Sequence, residues 1–242
     1  MGASFRNGSI PTVLLVHGAF TDASSWASVI PLLLAAGIDV QAVANPLDGL
    51  ESDAAYLVGV LGEVDGPVVL VGHSYGGAVI TAAGDVAGNV VGLVYVAAFA
   101  VDAGESALDI AGRFSPSRLN VALRPTTFTN RCGDLDVELS IGRDLFASVF
   151  AADLPKSMTA VLAASQRPIA AAALEEKCPA AAWRSLPCWY LVATADQVIH
   201  PDAQRFMAKR ARARTVEVDA SHAVVLSQPA VVADLVRTAV LR

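Results

Sequence analysis

The stretch Pro67 to Gly77, PVVLVGHSYGG, decides how the chain is read. Val68-Val69-Leu70-Val71 is an unbroken apolar run in which only Leu70 is not β-branched, and it predicts a strand buried on both faces. Gly72-His73-Ser74-Tyr75-Gly76 follows, then a helix-compatible run from Gly77 to Val86. Strand, tight turn and helix is the context in which a G-x-S-x-G pattern lifts its serine above the sheet edge. So sharp a turn leaves no room for a Cβ two residues before or after the serine, and glycine stands at both positions. Ser74 then lies beside free N–H groups at a helix N-terminus and is the candidate nucleophile.

Outward from this unit, the same alternation repeats. Pro11 to Val16 reads as a strand, and Ser24 or Ser25 can cap a helix running through Trp26 to Ala36 and stopping at Gly37. Ile38 to Val43 alternates like a strand until Asn45-Pro46 breaks it. Glu51 to Val64 is helical, with Ala55, Leu57, Val58 and Leu61 toward one face, and Val90 to Ala97 is another buried strand. Past Val101 the pattern changes to short helices (Arg143 to Ala152, Pro155 to Ser165) and two short strand candidates, Thr126 to Phe128 and Val137 to Leu139. After Pro187 it resumes: strand Trp189 to Thr194, helix Asp202 to Ala211, strand Thr215 to Val218, helix Gln228 to Val240. The expected fold class is α/β, a mostly parallel central sheet with flanking helices. Residues 1–100 and 184–242 would form the core and 101–183 an inserted, mainly helical cap.

Composition bounds the function. At 242 residues, 54% hydrophobic and 17% charged, the chain can bury a large core and is no disordered tail. The longest uncharged apolar stretch, Val90 to Val101, is too short to span a bilayer, so no membrane association is expected. MGASFRNGSIP has no apolar signal region, and a cytoplasmic location is expected, which makes the Asn7-Gly8-Ser9 acceptor pattern idle. Cys132, Cys178 and Cys188 are scattered and odd in number, so neither a disulfide framework nor a metal cluster is expected. Asn7 to Gly112 holds 11 acidic residues and no Lys or Arg, while 113–242 carries 16 basic and 12 acidic. No basic stripe is available for nucleic acid. The G-x-G-x-x-G spacing is missing, so no cofactor is expected.

A serine hydroxyl needs a base within hydrogen-bond reach. His17 and His73 lie in tight turns and suit structural roles, and His200 precedes Pro201 at a helix start. His222 follows the last strand in VEVDASHAVVLSQP, at the same carboxyl edge as Ser74, and is the expected base. The base in turn needs an orienting carboxylate. Asp196 ends a strand in LVATADQVIHP, and Asp102 lies just past another; topology does not force the choice. Asp196 is favoured because Gln197 and the helix after it resemble the usual acid loop, and because Ser74, Asp196, His222 is then the order of an α/β-hydrolase triad. Two N–H donors are needed for the oxyanion: Tyr75, after the nucleophile, and Ala19 in the loop His17-Gly18-Ala19-Phe20, with Phe20 one step away. Phe20, Phe99 and the Tyr75 side chain are expected to give a substrate pocket apolar walls.

The set LLVHGAF, GHSYGG, ATADQVIHP and DASHAVVLSQP resembles the α/β-hydrolase superfamily over nearly the whole chain outside 101–183. More narrowly it is similar to small esterases and hydroxynitrile lyases related to plant methylesterases. The resemblance supports Ala19 as an oxyanion donor. Lyases of that group carry Thr after the motif His and Lys after the catalytic His. Gly18 and Ala223 stand there, which leans toward the esterase side. Phe20 replaces the Cys usual in the plant enzymes. The implied activity is hydrolysis of a small, neutral, largely apolar ester through an acyl-enzyme. The alternatives are a carbon–carbon lyase and a ligand-binding protein that retains the triad.

Overall fold

The structure is a computed structural model that describes residues 10–129 and 133–242. The Asn7 acceptor pattern and Cys132 lie outside the described residues. In chain order the core begins with β1 (Thr12–Val16), α1 (Ile30–Ala35), β2 (Val40–Val43), α2 (Leu50–Gly62), β3 (Val68–His73), α3 (Gly76–Val86) and β4 (Val90–Val96). An insert follows, comprising α4 (Ala107–Ala111), α5 (Leu119–Ala122), β5 (Leu123–Thr129), β6 (Leu135–Ile141), α6 (Arg143–Phe150), α7 (Lys156–Ser165), β7 (Ile169–Ala170) and α8 (Ala171–Glu175). The core resumes with β8 (Cys188–Ala193), α9 (Pro201–Arg210), β9 (Arg214–Val218), α10 (Val224–Ser227) and α11 (Pro229–Val240).

Six strands pair in the order β2-β1-β3-β4-β8-β9, every pair parallel. The strand before Ser74 is therefore interior, flanked by β1 and β4. Side chains alternate between two cores, as the period of two demands. Leu14, Val16, Leu70, Tyr95 and Tyr190 face one side against Leu57 and Leu61 of α2, the small residues of α3, and Met207 of α9. Val13, Leu15, Val69, Val71 and Leu191 face the other, against Leu33, Val232 and Val236 from α1 and α11. Each such side chain removed from water contributes roughly 1.5–3 kcal/mol, which is why near-continuous apolar strands signal a sheet covered on both faces.

Some boundaries differ from expectation, each for a local reason. The first helix is preceded by a separate 3₁₀ turn, Ala23–Trp26, whose cap is Asp22 rather than a serine: its carboxylate accepts the Ser24 N–H at 2.7 Å. On α2 the buried stripe is Leu50, Ala54, Leu57 and Leu61, with Asp53 among them, while Ala55 is exposed. The insert is not helical alone. β5, β6 and β7 form a three-stranded antiparallel sheet, with β5 and β6 each seven residues long, so the two short strand candidates are the middles of a full hairpin. Among the described residues no helix is long and apolar enough to cross a membrane.

The insert is fastened to loops at the carboxyl edge of the main sheet. Arg167 donates to the carbonyls of Asn45 and Pro46 at 3.0 and 2.8 Å, and the Ala170 N–H donates to Leu47 at 2.9 Å. Its sheet and short helices thus lie over the loop that follows β2.

Candidate active site

Ser74 opens the two-residue corner, Ser74-Tyr75, between β3 and the N-terminus of α3, with φ 55°. A non-glycine residue held there costs of order 1–3 kcal/mol and persists only where its surroundings over-determine it. They do. The Ser74 carbonyl accepts N–H bonds from Gly77 and Phe99, both at 3.0 Å, and its own N–H reaches the Val96 carbonyl. A Cβ on Gly72 would come to 2.6 Å from the Gly76 carbonyl oxygen, and one on Gly76 would collide with the Val16 carbonyl. Gly72 is therefore required by the close approach of strand and helix within the corner, and Gly76 by packing of the corner against β1.

Three side chains meet at this corner. His222 Nε2 lies 2.8 Å from Ser74 Oγ, and His222 Nδ1 lies 2.7 Å from Asp196 Oδ2. A carboxylate only accepts, so Nδ1 carries the proton and Nε2 is left as acceptor for the Ser74 hydroxyl. Their burial is nearly complete, with relative exposures of 5% for Ser74, 2% for Asp196 and 0% for His222. Asp196 sits in the turn after β8, where its Oδ1 accepts the N–H groups of Val198 at 2.7 Å and Ile199 at 3.0 Å. Its Oδ2 also accepts from Gln204 Nε2 at 2.8 Å. Gln204 is fully buried on α9, donates further to the Ile199 carbonyl, and accepts the Ala193 N–H. The acid is thus locked to both the end of its strand and the start of the next helix. Asp102, the other carboxylate weighed from sequence, is directed to Arg184 at 2.7 Å and to the Ala103 N–H.

The remaining histidines have other partners. His73, fully buried, donates from Nε2 to the His222 carbonyl at 2.9 Å. Burial pushes its pKa down to about 3, so it is neutral over the working range. Burial also lowers His17, to about 4; its carbonyl accepts from Asn45 Nδ2, which steadies the loop carrying Gly18 and Ala19. His200 accepts the Asp202 N–H as the cap of α9.

Ala19 follows β1 and Tyr75 follows Ser74, and among the described residues neither N–H donates to a protein acceptor. The Tyr75 ring does not present its polar end to a pocket: its hydroxyl donates to Asp53 Oδ2 at 2.8 Å, inside the core against α2. Burial raises the Asp53 pKa to about 6. Phe20, at φ 63°, lines a cavity of about 50 Å³ with Leu162 of the insert and Leu226. Phe99 lines a different one of about 20 Å³ with Phe114, Val198 and Ile199. The two phenylalanines therefore border separate spaces. Among the described residues no group of His, Cys, Asp and Glu is arranged to hold a metal.

The alpha/beta hydrolase family model matches residues 13–235, from the first strand through most of the last helix. The chain belongs to that family. The alpha/beta hydrolase fold is shared with solved structures over almost their whole length. Polyneuridine aldehyde esterase superposes with a TM-score of 0.82 at 21% identity, covering 95% of this chain and 99% of that one. A pyrethroid hydrolase from Sphingobium faniae gives 0.78 at 22% identity, covering 95% and 97%. A methylesterase from Arabidopsis gives 0.79 at 18% identity, covering 96% and 99%. No curated protein sequence matches.

Gln204 and Asp53 escaped sequence reasoning. Each leaves a trace there, as a polar residue inside an otherwise apolar helical stripe: Gln204 beside Ala203, Met207 and Ala208, and Asp53 beside Leu50, Ala54 and Leu57. Such an intrusion says that a buried partner exists, since an unpaired polar group would be costly, but not which one.

Proposed function

We propose that this alpha/beta hydrolase is a serine carboxylic-ester hydrolase. The observation that carries the reading is the continuous hydrogen-bonded line Ser74 Oγ, His222, Asp196, at 2.8 and 2.7 Å, ending on a serine held at positive φ. Ser74 Oγ attacks the ester carbonyl carbon while its proton passes to His222 Nε2. Asp196 keeps the imidazole in the tautomer that can accept it and stabilises the imidazolium that results. The Ala19 and Tyr75 N–H groups receive the oxyanion. The carbonyl–alkoxy bond breaks, and the proton on Nε2 goes to the leaving alcohol. Water, deprotonated by the same nitrogen, then attacks the acyl-serine and returns the acid and free Ser74. The names of the structural neighbours, an esterase, a methylesterase and a hydrolase, support this class. Gly18 weighs against the lyase alternative, because a Cβ there would stand 2.5 Å from Ser74 Cβ, leaving no place for a threonine.

The favoured substrate is a small, neutral, largely apolar ester. The half of the chain that bears the nucleophile is purely acidic up to Gly112 after Arg6, which disfavours anions near the site. Two insert arginines are occupied elsewhere: Arg113 pairs with Glu105 at 2.6 Å, and Arg124 donates to the Val121 and Leu123 carbonyls. The test is labelling by a fluorophosphonate probe together with hydrolysis of an aryl butyrate and its hemisuccinate analogue. Stoichiometric labelling at Ser74, its loss in a folded Ser74→Ala variant, and faster turnover of the butyrate are expected. Undiminished labelling of Ser74→Ala would end the reading. Faster hemisuccinate turnover that falls with salt would overturn the substrate preference alone.

A further inference from the structure

His222 stands in a five-residue connection between β9 and α10, outside any regular element, so its orientation must come from contacts. His73 holds its carbonyl. Beside its bonds to Ser74 and Asp196, a further set of contacts comes from the insert and grips the neighbours of His222 on each side. The Ser221 N–H donates to Asp153 Oδ2 at 2.9 Å, and the Ser221 hydroxyl donates to Asp153 Oδ1. On the far side the Ala223 N–H donates to the Phe150 carbonyl at 2.9 Å. The Phe150 ring stands edge-on to the imidazole, centroids 5.0 Å apart at 77°, and is itself stacked on Phe146 at 5.0 Å.

Two donors of one residue converge on one side chain, which calls for two acceptor oxygens in a fixed fork. A carboxylate supplies that, and an amide or hydroxyl does not. Asp153 has no part in the α6 ladder and follows the helix by three residues, so its placement is not explained by the insert's own folding. We propose that Asp153 is a positioning residue for His222: by clamping Ser221 it sets the imidazole in line between Ser74 and Asp196. This rests on the reading of Ser74 and His222 as nucleophile and base. It makes the insert a working part of the triad.

Asp153 is itself exposed, so replacing it opens no cavity. Three readouts are compared for wild type, Asp153→Ala and Asp153→Asn: ester hydrolysis, fluorophosphonate labelling rate, and the NMR resonance of the His222 Nδ1 proton. Misplacing a catalytic group by about 1 Å costs up to about 100-fold, so Asp153→Ala should lower kcat and labelling roughly 10- to 100-fold. KM should stay within about threefold, because the lost contact matters to the transition state rather than to ground-state binding. Asp153→Asn, which keeps one acceptor oxygen of the two, should fall between wild type and Asp153→Ala. The Nδ1 proton signal should broaden in Asp153→Ala through faster exchange. Wild-type kcat, labelling and Nδ1 signal in Asp153→Ala would overturn the proposal, as would a loss confined to KM. If that variant does not fold, Ser221→Ala decides by the same criteria. A wild-type protein that neither labels nor hydrolyses would overturn the esterase reading, and the Nδ1 signal then decides the role of Asp153 alone.

Discussion

Asp53 is a carboxyl group inside an apolar helix stripe, and its environment should be measurable as a pH-dependent stability. Burial raises its pKa from 3.8 to about 6, even though the Tyr75 hydroxyl and the Asp48 N–H bond to it and work the other way. Between those values the folded chain holds a proton that the unfolded chain has already lost. The residue's contribution is therefore fully present below about pH 4 and is lost as pH rises through 6. A difference of about two units, at about 1.4 kcal/mol each, amounts to roughly 3 kcal/mol. Asp53→Asn removes the titration while keeping an acceptor for Tyr75, and any change in hydrogen bonding adds only a constant offset. His17 and His73, pushed down to about 4 and 3, are destabilising as pH falls from 6.5, but they do so in both proteins and cancel. Urea unfolding of wild type and variant at pH 4, 5, 6 and 7 gives the comparison. The variant should gain on wild type by an amount approaching 3 kcal/mol from pH 4 to 7, mostly between 4 and 6. Parallel stability curves would show that Asp53 ionises as freely folded as unfolded, and the burial argument would fail.

Asp196→Asn should lose roughly 10⁴ in kcat, as an amide that favours the wrong imidazole tautomer does in a serine triad. Asp102→Asn should stay close to wild type, since its carboxylate serves Arg184; the reverse ranking in steady-state assays would move the acid. Gly76→Ala should lower the thermal midpoint markedly, because its methyl group collides with the Val16 backbone, where nothing flexible can yield. An unchanged melting curve would show that the corner can widen.

Much of this was legible in the order of residue types. Val68 to Val71 could only be a doubly covered strand, and Gly72 and Gly76 around Ser74 announced the corner that the backbone makes. Asp196 and His222 were placed at strand ends by where the apolar runs stop. What sequence left open is what depends on side-chain direction. Asp196 and Asp102 occupy equivalent strand ends, and only three dimensions show one facing His222 and the other Arg184. Tyr75 read as a pocket wall because aromatics often are, whereas its hydroxyl needed Asp53, a partner 22 residues away. The insert's hairpin was underestimated because β5, LRPTTFT, is largely exposed, polar and holds a proline, so nothing marks its length. The alternation of its partner β6, LDVELSI, runs over all seven residues and was read only at its middle.

The strand order has a consequence for synthesis on the ribosome. β4 receives its outer neighbour, β8, only after the whole insert has been made, since 91 intervening residues, 97–187, separate them. Until then the nascent sheet ends on VVGLVYV, an uncharged strand with an open row of backbone donors and acceptors, of the kind that recruits other chains. The same delay leaves the Ser74 hydroxyl without its histidine partner, because Asp196 and His222 both follow the insert. Docking of β8 closes that row, and the hydrogen-bonded partner of Ser74 arrives later still, once the chain has passed β9, the outermost strand.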